Sequence, residues 1–183
     1  PKPQASPQGT QVRVENLFFN VPARLKFLKA DITENRQVTG LATRYAMAYP
    51  DIRWKLVQDG KVIFQTTGNG DKHEILLGLY GAQDAKGLMP LEFRENSISL
   101  DGFVSNLALT RSNRKDITLF VNGRWVQDPT LSASVIKAYN TLLMVGRYPL
   151  AVLFIEMPPE ALDVNVHPAK TEVRFRERDK VFS

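Results

Sequence analysis

The sheet of this protein is indicated first by one stretch, Ile117-Thr118-Leu119-Phe120-Val121-Asn122-Gly123-Arg124-Trp125-Val126. Its first five residues form an almost continuous apolar run, which predicts a strand. Asn122 and Gly123 tolerate the backbone conformation of a tight turn, so the chain is expected to turn back into a second strand over residues 124–126. The stretch therefore predicts a β-hairpin.

Downstream of this hairpin, Asp128-Pro129 is typical of a helix start, with a cap followed by proline in the first turn. An apolar stripe continues this predicted helix from Leu131 to Leu143. Residues 151–157 are apolar enough for a central strand. After Pro158-Pro159 the pattern predicts extended segments at 162–166 and 173–175, followed by the start of a helix at 176–183.

Upstream, Asp59-Gly60 predicts a hairpin between strands at 53–58 and 61–67. Asp71 is expected to cap a helix that ends near Gly81, and a strand follows at 98–105. A longer helix is predicted from Asp31 or Thr33 to the residue before Pro50. Its apolar stripe consists of Val38, Leu41, Ala42, Tyr45, Ala48 and Tyr49.

The N-terminal part begins with a proline-rich tail at residues 1–8. Alternating valines and a following Leu-Phe-Phe predict a strand from Gln11 to Phe19. Pro22 is expected to open a short helix that places Leu25 and Leu28 inward.

The order of these elements defines the expected fold class. Strands and helices interleave, but the strands come mainly in pairs. That arrangement favours an α+β fold, a mixed sheet with helices on one face, over a doubly wound parallel sheet.

Composition narrows the classes of function. The chain has 183 residues, 24 Lys and Arg against 19 Asp and Glu, and a formal net charge of +5. A modest positive excess permits a phosphate-bearing partner. There is no Cys and only two His, which excludes disulfides, thiol catalysis and zinc sites built from Cys. No metal site is therefore predicted, and no apolar run approaches the roughly 20 residues of a membrane span.

Basic residues gather in one short segment. Arg111, Arg114 and Lys115 precede the central hairpin, and Arg124 lies just after its turn. The segment has few acidic neighbours, so it could be either a solvated surface or a phosphate-binding loop. We predict Arg111, Arg114, Lys115 and Arg124 as candidate phosphate-binding residues. Arg124 could instead anchor the turn after Gly123.

Three motifs resemble one known family. Residues 9–29 read GTQVRVENLFFNVPARLKFLK, residues 163–175 read DVNVHPAKTEVRF, and residues 120–124 read FVNGR. They resemble G-T-x-V-x-V-x-x-L-F-x-N-x-P-A-R-x-K-F-L, D-V-N-V-H-P-x-K-x-E-V-R-F and F-V-N-G-R of DNA mismatch repair proteins of the MutL/PMS type. The motifs occur in the family order and extend over essentially the whole chain.

This resemblance implies a place within a larger protein. Members of the family begin with a GHKL ATPase domain, whose nucleotide-binding motifs are not found in this sequence. Residues 1–20 are then expected to be a tail and a last strand related to that domain. Residues 21–183 are expected to form the transducer domain, which resembles GHMP kinases and a ribosomal protein and has a left-handed βαβ crossover.

The resemblance also implies a role in ATP hydrolysis. Lys170 matches the lysine that family members extend to the ATP γ-phosphate, and is therefore the predicted catalytic and cofactor-binding residue. Thr10 matches a threonine in the hydrogen-bond network on the adenine side. The implied cofactor of the parent protein is ATP with Mg²⁺. The chain alone is expected to bind no cofactor and to hydrolyse no ATP.

The implied partners are those of the family: the protein's own GHKL ATPase domain, a second copy in an ATP-dependent dimer, the mismatch-recognition protein MutS, and DNA. Arg111, Arg114, Lys115 and Arg124 are then the predicted DNA-binding residues, which contact phosphates without reading sequence. The implied location is the bacterial cytoplasm, associated with the nucleoid. Two alternatives stay open, namely a free-standing nucleic-acid-binding module and the transducer of a type II topoisomerase or other GHKL protein. The Pro-Ala-Arg and Val-His-Pro-Ala-Lys segments argue against the latter.

Overall fold

The computed structural model describes residues 12–163 and 174–175. Its helices are α1 (Pro22–Leu25), α2 (Asp31–Ala48), α3 (Lys72–Ala85) and α4 (Pro129–Ala138), with short 3-10 turns at Arg114–Asp116 and Pro159–Ala161. Its strands are β1 (Lys55–Gln58), β2 (Lys61–Gln65), β3 (Leu88–Glu95), β4 (Ile98–Ser105), β5 (Thr110–Arg111), β6 (Ile117–Val121), β7 (Arg124–Val126), β8 (Tyr148–Pro149), β9 (Ala151–Glu156), β10 (Leu162–Asp163) and β11 (Arg174–Phe175). The chain divides into two compact units, Pro1–Val38 and Thr39–Ser183.

The first unit differs most from its prediction. Residues 12–20 form no strand, because no described strand pairs with them and an isolated extended segment leaves its backbone groups unpaired. The turn there bonds Phe19 N to Asn16 O at 3.0 Å. The short helix α1 is confirmed, but Leu25 and Leu28 do not point into a core. None of the described residues from 12 to 38 is buried.

The second unit is built around a five-stranded sheet of order β3-β4-β9-β6-β7. The pair β6 and β9 is parallel and the other neighbouring pairs are antiparallel, so the predicted mixed sheet is confirmed. The connection from β6 to β9 contains α4, as the predicted βαβ crossover requires. That this crossover is left-handed stays a prediction.

Turns and caps follow the sequence closely. Asp59 and Gly60 both have positive φ in the β1–β2 turn, and Asp128 caps α4 through Thr130 N and Leu131 N. Asp71 caps α3, but Gly81 forms a kink inside that helix and not its end. The helix α4 ends at Ala138, well before Leu143, because its last turns give way to a turn with positive φ at Thr141.

The core lies on both sides of β6 and β9. On one side Phe120 stacks on Phe154, with ring centroids 4.8 Å apart, and this side packs against α2 and α3. On the other side Leu119 and Leu153 pack with Leu131 of α4. The expected placement of all helices on one face is therefore wrong for α4, because β9 is buried on both faces and both need a cover.

A close backbone approach fixes the pairing of β4 with the central strand. Gly102 has φ 145°, and a Cβ atom there would lie 2.1 Å from the carbonyl oxygen of Val152. Only glycine fits at this position, so β4 can pair tightly with β9.

Candidate nucleic-acid interface

The predicted DNA-binding residues lie at opposite ends of β6. Arg111, Arg114 and Lys115 precede the strand, whereas Arg124 follows the turn at its far end and pairs with Val121. A strand rises by about 3.3 Å per residue, so the five residues of β6 separate the two groups by roughly 16 Å. The structure does not bring the four residues into one cluster.

At the first end, Arg111 is held by two carboxylates. Its guanidinium makes a short contact with Asp84 and donates to Asp116 Oδ2 at 2.7 Å. The bond to Asp84 raises the pKa of Arg111, in spite of its partial burial. Because both partners are acidic and all three side chains are at least half buried, Arg111 has little charge to offer a ligand.

Arg114 and Lys115 lie in the 3-10 turn after β5, and both are exposed. Asn113 caps that turn by accepting from Lys115 N at 3.0 Å, which holds the backbone. Arg147, also exposed, donates from Nε to the Thr110 hydroxyl at 2.8 Å and joins the group. Sequence reasoning missed Arg147, since only the β5–β8 pairing brings it beside this segment.

At the other end, Arg124 is held by a well-braced hairpin. The turn residues Asn122 and Gly123 have φ of 48° and 73°. The Asn122 side chain donates to Met157 O and accepts from Met157 N, each at 2.9 Å. These bonds tie the turn to the end of β9, so the backbone of Arg124 is fixed.

Arg124 itself keeps an unsatisfied group. Its Nη1 atom is buried, and none of the residues that the structure describes forms a hydrogen bond with it. A buried donor without a partner costs free energy, more so when it is charged.

Arg124 lines a cleft of about 460 Å³, which we call the aromatic–cationic cleft. It is lined by Leu41, Arg44, Tyr45, Ala48, Tyr49, Phe120, Asn122, Gly123, Arg124 and Trp125. The Arg44 guanidinium lies over the Trp125 ring, 3.9 Å from its centroid, and burial lowers the pKa of Arg44. No Asp or Glu is among these described lining residues.

The cleft explains an error in the predicted core. Tyr45 and Tyr49 belong to the apolar stripe predicted for the long helix, yet they are 49% and 46% exposed. The helix buries Ala46 and Met47 instead, so the tyrosine side faces the cleft. The two tyrosines are spaced as positions i and i+4 of a helix. From the sequence alone, this spacing was interpreted as part of a face that packs against the core.

Tyr80 of α3 interacts with charged residues of the first end and with Arg44 of the cleft. It bonds Thr118 and interacts with Asp116, Arg111 and Arg44. Burial is the main cause that raises the pKa of Tyr80 to about 12.

The nucleotide-binding predictions, Thr10 and Lys170, lie outside the described residues. Among the residues that the structure does describe, no group of His, Cys, Asp and Glu side chains could hold a metal ion. No helix in the described ranges is long and apolar enough to cross a membrane.

Similarity to known proteins decides the family. The family model for the C-terminal domain of DNA mismatch repair proteins matches residues 76–183. The DNA mismatch repair protein MutL of Staphylococcus saprophyticus is 42% identical over 182 residues, and that of Streptococcus agalactiae is 40% identical over 179. This chain belongs to the MutL family of DNA mismatch repair proteins. The predicted MutL/PMS resemblance is confirmed.

The MutL relatives are much longer than this chain. The alignment covers 100% and 98% of the chain, but only 28% and 27% of those two relatives. The chain thus spans little more than a quarter of their length.

Solved structures of MutL ATPase domains share the fold. The ATPase domain of the mismatch repair endonuclease MutL from Aquifex aeolicus aligns with a TM-score of 0.62 and 25% identity, over 91% of this chain and 56% of that one. The same domain complexed with ADP aligns with a TM-score of 0.57 and 27% identity, over 79% of this chain and 51% of that one. The N-terminal domain of a DNA repair protein, at 21% identity and a TM-score of 0.73, agrees in fold.

Proposed function

We propose that this chain is the transducer domain of a MutL-type mismatch repair ATPase, with residues 21–183 as the domain and residues 1–20 related to the GHKL domain before it. The observation that carries the proposal is the coverage of the Aquifex aeolicus ATPase domain. Almost all of this chain aligns with about half of that structure. The other half would then supply the nucleotide site that this sequence lacks.

DNA contact is the part of this function that the described residues support. Arg114 and Lys115 are exposed cations without a carboxylate bond among the described ion pairs, and Arg124 has a nitrogen with no acceptor among the described residues. Cations of this kind bind phosphates by charge, with release of counterions. The expected binding is salt-sensitive and independent of sequence.

Coupling to ATP rests on the DVNVHPAKTEVRF motif. In the proposal Lys170 contacts the γ-phosphate and Thr10 belongs to the adenine-side network. Bound ATP with Mg²⁺ supplies the phosphoryl group that is hydrolysed. A lysine that reaches this group from a second domain stabilises developing negative charge and makes the angle between the domains sensitive to nucleotide.

The proposed partners follow from the same assignment. They are the protein's own GHKL domain, a second copy in an ATP-dependent dimer, MutS, and DNA. The proposed location is the bacterial cytoplasm, at the nucleoid.

The test is the Lys170→Ala change in the full-length protein that contains this chain. Steady-state ATP hydrolysis should fall by about 100- to 1,000-fold, by analogy with the loss of one transition-state charge contact. Lys170→Arg should restore it only partly, because a planar guanidinium does not reproduce a point charge on a flexible stem.

Two controls define the result. Exposed Lys61 lies in the β1–β2 hairpin, and Lys61→Ala should hydrolyse ATP like the wild type. DNA binding by the Lys170→Ala protein should persist, since one lysine is a small part of a distributed basic surface. Wild-type turnover by Lys170→Ala would contradict the assigned role of Lys170.

A further inference from the structure

One edge of the five-stranded sheet has no partner among the described strands. This edge is β3, which pairs with β4 on one side and stands at the end of the strand order. Its last four residues, Glu92, Phe93, Arg94 and Glu95, are all exposed, and no ion pair between described residues involves them. The open edge of a strand can pair with a strand of another chain.

The backbone groups of Glu92 and Arg94 point away from β4. Hydrogen-bonded and non-hydrogen-bonded residues alternate along an antiparallel pair. Just beyond the two strands, Asn106 N donates to Gly87 O at 2.8 Å. Counted in steps of two from Gly87, the odd-numbered residues of β3 bond to β4, and the even-numbered residues face the open side. Glu92 and Arg94 each present an N–H and a C=O there, whereas Pro90 has no N–H.

The sequence of this edge is complementary to itself in one register. When two copies of β3 run antiparallel around Phe93, Glu92 of each copy lies opposite Arg94 of the other. Residues that lie opposite each other at outward positions can exchange both of their backbone hydrogen bonds. Phe93 then lies opposite Phe93 of the other copy, and such aromatic pairs and opposite charges stabilise a strand pair.

The neighbouring registers that would keep the backbone bonds are unfavourable. Centring the pair on Arg94 places the two Arg94 side chains opposite each other. Centring it on Glu92 places two carboxylates opposite each other and sets Arg94 against Pro90, which has no donor. Like charges directly opposite across a strand pair are destabilising. The charges of the edge therefore select the register around Phe93.

We propose that the open edge of β3 is a self-association surface, on which a second copy of this chain pairs antiparallel around Phe93. The contact is isologous, since both copies use the same residues about a two-fold axis. Many edge strands are protected by charges that repel a copy of themselves, whereas the two outward positions of β3 have opposite signs. The inference goes beyond the proposed function, in which the second copy binds in an ATP-dependent dimer, because every group used here belongs to β3.

The experiment is disulfide cross-linking of the full-length protein without nucleotide or DNA. This chain contains no Cys, and any Cys outside it is first changed to Ser. Phe93→Cys should give a covalent dimer on mild oxidation, because the Cα atoms of a non-hydrogen-bonded antiparallel pair lie about 4.5 Å apart.

Met89→Cys is the matched control. Met89 lies on the same face of β3 and is 47% exposed, against 55% for Phe93. In the proposed register the two copies of residue 89 are about 26 Å apart along the strands, so this variant should not cross-link.

Charge changes in the Phe93→Cys protein test the register. Glu92→Arg and Arg94→Glu should each slow cross-linking by about tenfold, because each places like charges opposite each other twice. The two changes together restore opposite charges and should bring the rate back to within about twofold. Lys61→Glu, at an exposed position of the β1–β2 hairpin, should leave the rate within about twofold.

A second pair of variants covers a failure of Phe93→Cys to fold, which thermal unfolding will show. Glu92→Cys mixed with Arg94→Cys should cross-link, since opposite residues of a hydrogen-bonded pair are about 5.5 Å apart at Cα. Neither variant should cross-link with itself, because the two copies of each residue are diagonal neighbours, about 7–8 Å apart.

The outcomes separate clearly. No cross-link in the folded Phe93→Cys protein, or an equal cross-link in Met89→Cys, overturns the self-association surface. A double charge change that cross-links as slowly as the single changes overturns the proposed register and the inference with it. Because the assay contains neither ATP nor DNA, its result is independent of the roles proposed for Lys170 and for the basic residues near β6.

Discussion

At one end of β6, Arg111 is bonded to Asp84 and Asp116, whereas at the other end Arg124 has a buried nitrogen that is bonded to none of the described residues. In the sequence the first end looks like the stronger anion site, because three basic residues lie within five positions. In the structure, the buried donor to which no described residue is bonded belongs to the second end. Counting the basic residues of a segment is therefore a poor guide to anion binding. The carboxylates that the fold places beside those residues matter more.

Tyr80 gives the test with the largest expected effect, because it interacts with Arg111 and Asp116 of the first end and with Arg44 of the cleft. Its pKa is raised to about 12 in the folded chain, mainly through burial, against about 10 for an unperturbed tyrosine. A raised pKa means that the neutral form is favoured by folding, so this stability is fully present below pH 10 and is lost as the pH rises to 12. Two pKa units correspond to about 2–3 kcal/mol.

The measurement is urea unfolding of the chain at pH 9 and pH 11.5. The wild type should lose more stability between these values than Tyr80→Phe, which has no phenol to ionise. Equal losses in both proteins would show that Tyr80 ionises as easily in the folded chain as in the unfolded chain.

Arg111→Ala tests the compensated end directly. The change leaves Asp84 and Asp116 near each other without their shared cation, so the free energy of unfolding should fall by about 1–2 kcal/mol, between the values for exposed and buried pairs. Arg114→Ala, at the exposed neighbour, should leave that free energy within about 0.5 kcal/mol. If Arg111→Ala unfolds like the wild type, the two carboxylates do not hold it in solution.

Local signals in the sequence predicted much of the fold. Asp59-Gly60, Asp71, Asn122-Gly123 and Asp128 all act within three or four residues of themselves, and each formed the turn or cap expected. The mixed sheet followed from strands that arrive in pairs. The alternation at residues 12–19 failed because a strand also needs a neighbour, which the local pattern does not contain.

The site depended on contacts between distant residues. Asp84 lies 27 residues before Arg111, so the neutralising bond could not be read from the basic segment. Arg124 was predicted from its motif, but the cleft beside it needs α2 and the β6–β7 hairpin to meet. The tyrosines of α2 carry the spacing of a buried face, and only the fold shows that Ala46 and Met47 fill the core instead.

The central claim is that exposed and uncompensated cations at the ends of β6 contact DNA phosphates. The most direct test of this claim is the salt dependence of duplex binding by the full-length protein. Each lost phosphate contact should lower the slope of log affinity against log salt by about 0.9. The double change Arg114→Glu and Lys115→Glu should therefore lower the slope by about 2 and the affinity at low salt by roughly tenfold.

The matched control is Lys55→Glu with Lys61→Glu, which changes the net charge equally at two exposed positions of the β1–β2 hairpin. The account predicts a slope close to wild type for this control and a lower slope for the Arg114 and Lys115 pair. Equal slopes for both double variants would mean that only net charge matters, and would contradict a DNA-binding surface at this end of β6.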